Sequence, residues 1–538
     1  MSTMSGGRAV VRALLSEGVR VAFGIPGVHN LDLYEGLRAQ PELGHVLARH
    51  EQGAGFMADG FARATGEIPA VFTITGPGAI NALTPIGQAY SDHSPVLLIS
   101  TEVDSPYVSQ ERGDLHELRH QLGAVSGVLA WARRASSVDE IPWLVHEAVA
   151  YARQRSRPAY VEIPKDLLAA EGSPQFPGPA EDVRPAAEPA AVDRAASMLL
   201  AAERPLLHVG RGAAVSGAGV EVRELAETLG APVLSSSLGK GVLPSDHPLS
   251  LGLVNWSIQA FQKELYAQSD LVLVVGTRLG PMSRGNGELP TPGRVIQIDL
   301  DPAAIGRGFS VELGLPGDAR RVLGQLLASL RGRAASSRPE WSQRARDAYR
   351  SQLATWEQEA GRELRIIRSL RSALPPDGIV TNDMTVLCYS MLPHFPVADP
   401  RAFLFPFHLG ALGFGLPAAI GAKFGVHERP VLAICGDGGF MFSVQELATA
   451  VKYGLSLVVL LCNDNCYNSV RRNQQQRFPG PPFEVDVANP DFMRLAQAFG
   501  VRGVRLGSLE EAGDAVRQSL DAPGVTIVEA PADLHSPL

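Results

Sequence analysis

The chain has 538 residues, 45% of them hydrophobic, with 48 basic against 56 acidic side chains and a formal net charge of −8. That length exceeds what one hydrophobic core organises, so several domains are expected. The acidic balance and the lack of a basic run argue against a nucleic-acid surface, and no apolar run approaches the length of a membrane span.

In chain order, residues 1–8 lack the charged-then-apolar plan of a secretory signal. Val10 to Leu15, interrupted by Arg12, predicts an amphipathic helix. Val21 to Gly27 predicts a strand and turn. Within residues 49–66, Ala54, Met57, Ala58, Phe61 and Ala62 recur at helical spacing and predict a helix with one buried face. Glu51 opens that helix, where the helix dipole favours a carboxylate. Ala70 to Thr75, Val96 to Ser100 and Ala159 to Ile163 predict further strands. His116 falls between, in Gly113-Asp114-Leu115-His116-Glu117-Leu118, and histidine is the commonest proton-transfer group near neutral pH. Strands alternating with helical patterns imply a parallel sheet with helices on both faces. Residues 171–190, rich in Pro, Ala, Gly and Glu, predict a linker.

A second α/β unit follows, with strands predicted at Leu206 to Val209, Leu271 to Gly276 and Val295 to Asp299. Gly210-Arg211-Gly212-Ala213-Ala214-Val215 hints at a dinucleotide fingerprint but lacks its third glycine. Residues 331–342 predict a second linker, and a third unit begins near residue 355. There Gly378 to Thr381 predicts a strand leading into Asn382-Asp383-Met384-Thr385. Val431 to Cys435 is an apolar run, as expected of a buried strand. It ends in Gly436-Asp437-Gly438, whose glycines let the backbone turn sharply and approach a ligand. Ser443 to Ala450 is a helical pattern, and Leu457 to Cys462 returns to the same sheet edge. Asp464 lies 27 residues after Asp437 (464 − 437), enough for one helix and one parallel crossover. Two carboxylates then meet at neighbouring strand ends, where open α/β sheets bind ligands. Magnesium prefers one or two carboxylates plus substrate phosphates, so this reads as a magnesium site carrying a diphosphate. The four cysteines are Cys388, Cys435, Cys462 and Cys466; they are too few and too scattered for a metal cluster, and Cys435 and Cys462 read as buried core thiols. A cytoplasmic enzyme is the expected class.

Gly436-Asp437-Gly438, followed by Asn463-Asp464, resembles the diphosphate-binding motif of thiamine-diphosphate enzymes. Asp464 stands where the family usually has a second Asn and keeps a hard oxygen ligand. Residues 49–66 resemble the family's helix bearing the activating glutamate. Thr75-Gly76-Pro77-Gly78-Ala79-Ile80-Asn81 resembles the strand-to-helix turn after it. Gly410 to Ala419 resembles the segment that bends the cofactor. The motifs occur in family order, and the similarity runs over nearly the whole chain. The resemblance implies three doubly wound parallel-sheet α/β domains of the acetolactate-synthase-like branch. These would be a pyrimidine-binding domain (1–170), a central Rossmann-like domain (191–333) and a diphosphate-binding domain (355–538).

The resemblance also implies the cofactors and their contacts. Thiamine diphosphate and Mg2+ are expected, with Asp437, Asp464 and the Cys466 carbonyl as metal ligands. Gly436, Gly438, Gly439, Thr385, Tyr467 and Asn468 become cofactor contacts. Glu51 would bond the aminopyrimidine ring, so that its imino form draws the thiazolium proton and leaves an ylide. The Gly410 carbonyl would hold the ring's amine, and Leu412 would be the apolar wedge. His116 falls where related decarboxylases place active-site histidines. Acetolactate synthases hold FAD in the central domain. Here Gly276-Thr277-Arg278-Leu279 resembles part of the FAD-contacting segment, Gly280 to Arg284 departs from it, and a domain without FAD is the favoured reading. One cofactor bridges the first and third domains of different chains in this family, which implies a homodimer or homotetramer.

The enamine left when carbon dioxide departs is either protonated to an aldehyde or attacks a second carbonyl compound. Acetolactate synthases usually carry a Met near the position of Ser469 and a Trp near that of Asn473. Both are absent from Tyr467 to Arg477, so a polar helix replaces an apolar wall. The expected substrate is therefore a 2-oxo acid larger or more polar than pyruvate. Arg471, Arg472, Glu484 and Asp486 lie nearby in sequence, to meet a charged tail or form a solvated loop. Phe23 to Asn30 and Arg49 to Asp59 look especially like 5-guanidino-2-oxopentanoate decarboxylases. Decarboxylation is the expected reaction, and acetolactate-type carboligation the alternative. A redox protein resting on Gly210 to Gly212 is disfavoured by the missing glycine. A non-catalytic relative is disfavoured by the retained Glu51, Asp437 and Asp464.

Overall fold

The computed structural model describes residues 3–290, 292–333, 338–532 and 534. Among them, no helix is long and apolar enough to cross a membrane. Three six-stranded parallel sheets form the frame. The first contains β1 (Val21–Gly24), β2 (Gly44–Leu47), β3 (Ala70–Thr73), β4 (Leu97–Glu102), β5 (Ala132–Arg134) and β6 (Ala159–Pro164), in spatial order β2-β1-β3-β4-β6-β5. The second contains β7 (Pro205–Val209), β8 (Val233–Ser236), β9 (Ser250–Val254), β10 (Leu271–Val275), β11 (Val295–Asp299) and β12 (Leu313–Pro316), in order β9-β8-β7-β10-β11-β12. The third contains β13 (Ile379–Asn382), β14 (Phe403–Leu404), β15 (Val431–Gly436), β16 (Leu457–Asn463), β17 (Arg502–Arg505) and β18 (Val525–Pro531), in order β14-β13-β15-β16-β18-β17. Central strands such as β10 and β15 are buried at every residue, as their continuous apolar runs require of a sheet covered on both faces.

Contacts divide the chain into two units. One joins residues up to Asp182 with Leu374–Thr385 and Leu404–Ala532; the other joins Val183–Ala373 with Val386–Phe403. The expected boundary near residue 355 falls inside a helix of the second unit. A helix runs over Pro339–Ala373, and its Trp341 and Ala345 sit in the apolar cluster of the second sheet. The expected linker over 331–342 shortens for the same reason, since its last four residues begin that helix; residues 334–337 lie outside the described ones.

The helix Glu51–Thr65 also departs from expectation. It is buried from Gly53 to Ala64 on all sides, not on one face. Its neighbour is the helix Gly415–Gly425, and the two approach to backbone contact. A Cβ on Gly60 would stand 2.2 Å from the Ala418 carbonyl oxygen, and one on Gly421 would stand 1.8 Å from that of Met57.

A buried charge network holds the same region. Arg63 donates from Nε to Asp59 Oδ1 at 2.7 Å and from Nη2 to Asp92 Oδ2 at 3.1 Å. Asp92 also accepts from Gln88 Nε2 at 2.6 Å and from the backbone N–H groups of Phe407 and His408 at 2.9 and 3.0 Å. It therefore ties the Glu51 helix to the chain leading into Gly410. Burial pushes the Asp92 carboxyl up, but the Arg63 charge and the His408 hydrogen bond outweigh it and hold the carboxyl well below the carboxylate range. The folded pKa is below the unfolded one. The stability it contributes is present above about pH 4 and lost as pH falls below that. Asp92→Ala leaves Arg63 under-compensated and is expected to cost about 3–5 kcal/mol in urea unfolding. It should also flatten the acid limb of the stability–pH curve; an unchanged limb would contradict the network's role.

Candidate active site

β15 and β16 are adjacent and parallel, with Gly436 opposite Cys462. Asp437 and Asp464 therefore leave the sheet at one edge, as the spacing predicts. Asp437 is 2% exposed and begins a short helix, Asp437–Met441. Burial pushes its carboxyl up; the Asn489 hydrogen bond opposes this, and the Asp464 charge adds to it. Burial likewise raises Asp464, against hydrogen bonds from Asn468 and the Cys466 N–H. The Asp464 charge thus disfavours ionisation of Asp437.

Asn489, which sequence reasoning did not single out, lies beside Asp437. Its Nδ2 lies 2.6 Å from Asp437 Oδ2, 3.2 Å from Asn463 Oδ1 and 3.1 Å from Asn465 Oδ1. One NH2 carries two protons, fewer than the three acceptors around it. An oxygen cluster of this kind, with two carboxylates, fits a hard cation such as magnesium. Cys466 faces Asp486 in an isolated antiparallel bridge. The hydrogen bonds there run from Tyr467 N–H to the Val485 carbonyl and from Val487 N–H to the Asn465 carbonyl. The Cys466 carbonyl takes no part in this bridge, which leaves it available as a ligand.

Close packing forms a cradle around this turn. A Cβ on Gly436 would stand 3.0 Å from Thr385 Oγ1, one on Gly438 2.7 Å from Tyr467 Cε1, and one on Gly439 2.8 Å from Asp383 Oδ1. Asn468 Nδ2 donates to Asp464 Oδ2. Thr385, Tyr467 and Asn468 therefore gather with Asp437 and Asp464. Asp383 extends the group. It accepts from the N–H groups of Met384 at 2.8 Å, Gly413 at 3.1 Å and Gly415 at 3.1 Å. Burial pushes its carboxyl up to about 6, against those three donors. It fixes the Gly410–Gly415 loop to the end of β13, with half-buried Leu412 between two glycines of positive φ, Gly410 and Gly413.

Glu51 gathers with a second group. Asn81 Nδ2 donates to its Oε2 at 3.1 Å, and a Cβ on Gly78 would stand 3.3 Å from its Oε1. The entry to its helix is clamped by buried Glu446, which accepts from the N–H groups of Arg49 and His50 at 3.1 and 3.0 Å. His116 has φ 65°, and its carbonyl oxygen lies 2.2 Å from where a Cβ on Gly76 would be. Gly76 is two residues from Gly78, so the His116 segment lies on the turn that touches Glu51. His29, not singled out from sequence, stacks edge-on against His116 at 5.2 Å. It is 6% exposed and its Nδ1 has no hydrogen-bond partner among the described residues. Burial, then Lys165 and His116, lower its pKa. Among the described residues, no hydrogen bond joins Glu51 to the Asp437 group.

Some expected contacts fall elsewhere. Arg471 and Asp486 pair with each other. The helix Asn468–Arg477 has no buried residue and is polar apart from Val470. In the second unit, Gly212 donates from N–H to the Gly276 carbonyl at 2.8 Å, and a Cβ on it would meet Gly276 Cα at 2.7 Å. Those glycines are explained by close contact between the segments that follow β7 and β10.

Comparison with known proteins agrees with this geometry. Residues 4–124 match the thiamine pyrophosphate enzyme N-terminal TPP-binding domain, 192–326 the central domain and 385–530 the C-terminal TPP-binding domain. The chain belongs to the thiamine pyrophosphate enzymes. It is 39% identical to a probable 2-ketoarginine decarboxylase of Pseudomonas aeruginosa, over 98% of this chain and 94% of that one. It is 32% identical to a probable acetolactate synthase large subunit of Methanocaldococcus jannaschii, over 96% of this chain and 90% of that one. It is 31% identical to the acetolactate synthase isozyme 3 large subunit of Escherichia coli, over 97% and 93%.

Proposed function

We propose that this enzyme decarboxylates a 2-oxo acid larger or more polar than pyruvate, using thiamine diphosphate and magnesium. The observation that carries this reading is the helix Asn468–Arg477, polar and unburied, placed directly after the carboxylate pair. The name of the Pseudomonas relative points to the same substrate class. Thiamine diphosphate supplies the electron sink that loss of carbon dioxide from a 2-oxo acid requires. Asp437, Asp464 and the Cys466 carbonyl would hold the magnesium. Gly436, Gly438 and Gly439 would let the diphosphate approach the backbone, with Thr385, Tyr467 and Asn468 beside it. Glu51 would hold a proton at its carboxyl against the pyrimidine ring, the Gly410 carbonyl would hold the ring's amine, and Leu412 would wedge the cofactor. His116, with His29 behind it, would move a proton to or from the substrate.

Residues 1–170 would receive the pyrimidine and 355–538 the diphosphate, with 191–333 as a structural domain needing no FAD. Two chains would complete each site, as a homodimer or a tetramer of dimers. In support, Ile80, Leu409, Met441 and Phe442, all on segments that carry site residues, stand 41, 51, 38 and 46% exposed. The test feeds pyruvate and a panel of longer, polar 2-oxo acids, and measures carbon dioxide, aldehyde and acyloin separately. A kcat/KM at least tenfold higher for a polar substrate, with aldehyde as product, is expected. Efficient conversion of pyruvate to acetolactate would promote carboligation instead.

A further inference from the structure

The second unit contains a cavity between the turn after β9, the long helix Pro339–Ala373 and the helix Val386–His394. It offers about 70 Å³ to water-sized groups, room for roughly five waters or a head group of similar size, and far less than a flavin or nucleotide needs. Asn255, Trp256, Trp356, Glu363, Tyr389 and His394 line it. The long helix leaves α geometry at Ala360, with φ −131°, at the point where it meets the cavity.

Glu363 is the unusual member. It is only 7% exposed, yet among the described residues its side chain has no hydrogen bond and no ion pair. A carboxylate that lines a cavity without a partner of the protein's own can take a cation with donors of its own. The rest of the lining suits one. Trp256 and Tyr389 meet edge-on at 5.9 Å and 90°, and Trp356 meets His394 at 4.5 Å and 78°. Aromatic rings of this kind attract organic cations through their negative faces. Among the described residues, neither His394 nor Lys240 pairs with Glu363. Burial, and then Lys240, push His394 down to about 4, which keeps it neutral. Lys240 donates to the Leu392 carbonyl at 2.8 Å and lies over the Phe403 ring.

We propose that this cavity binds a small organic cation, a guanidinium or primary ammonium head group, paired with Glu363 and faced by Trp256, Trp356 and Tyr389. Guanidinium fits best, since its planar fork pairs with a carboxylate and stacks on rings at once. The site rests on the second unit's geometry alone and does not depend on which 2-oxo acid the enzyme converts.

The test is calorimetric titration of the full cofactor-loaded chain with methylguanidinium chloride at constant ionic strength, with methylurea as a neutral match in shape. Saturable binding is expected for methylguanidinium, tenfold or more tighter than for methylurea. Glu363→Gln, of nearly the same volume, should weaken it at least tenfold. Should that variant fail to fold by near-ultraviolet circular dichroism, Trp356→Leu takes its place, with the same loss expected. Equal affinity for methylurea, no saturable heat up to about 50 mM, or full binding by a folded Glu363→Gln protein would each overturn the proposal.

Discussion

Glu51→Gln is expected to fold, to bind thiamine diphosphate and magnesium nearly as well as the parent chain, and to release carbon dioxide about 10²–10⁴-fold more slowly, the range a positioned acid–base group supplies. The geometry makes the variant a clean one. Glu51 is the first residue of its helix, and its one side-chain hydrogen bond among the described residues comes from Asn81 Nδ2. A Gln carbonyl oxygen accepts that bond equally well. The helix entry is held by Glu446 through the backbone of Arg49 and His50, not through the Glu51 side chain. Only the ionisable carboxyl is removed. Proton exchange at the cofactor's thiazolium carbon, followed by magnetic resonance on the bound cofactor, should slow in step with turnover. Exchange at the parental rate, with cofactor bound, would take Glu51 out of the chemistry.

Asp437→Ala should act on binding. Asp437 and Asp464 repel each other, and burial already raises both carboxyls. Removing one therefore costs the cofactor-free chain little, and its thermal midpoint should hold or rise. The loaded chain should differ sharply. A ligand at 100 times its dissociation constant stabilises the parent protein by about 2.7 kcal/mol, and that increment should vanish in Asp437→Ala, since on the proposed reading metal and diphosphate share this anchor. Parental cofactor affinity should weaken as pH falls, since both folded pKa values are raised and protonation removes the oxygen charges the metal needs. Undiminished stabilisation of Asp437→Ala by thiamine diphosphate and magnesium would show that the metal sits elsewhere.

The carboxylate pair was legible because each partner ends a short apolar run and a parallel crossover fixes the distance between them. Asn489 was not, because it sits in a loop without periodicity, 52 residues beyond Asp437, and only tertiary packing delivers it. His29 was hidden in the same way: a single histidine after a strand carries no signal until His116 is folded against it. Asp383 lay in a quoted tetrapeptide, but its three N–H donors come partly from a loop some thirty residues on. The extent of the helix Pro339–Ala373 was not legible because its polar pattern reads alike whichever unit it covers; Trp341 packs it into the second unit.

The contact between the Glu51 helix and Gly415–Gly425 limits how this enzyme and its relatives can exchange parts. Gly60 lies on the Ala418 carbonyl and Gly421 on that of Met57, so each backbone is the mould of the other. A chimera that takes the first helix from one relative and the second from another would bring a side chain into that seam wherever either parent lacks the matching glycine. Recombination between relatives should therefore succeed only when the segments around residues 51–65 and 415–425 travel together, although some 350 residues separate them.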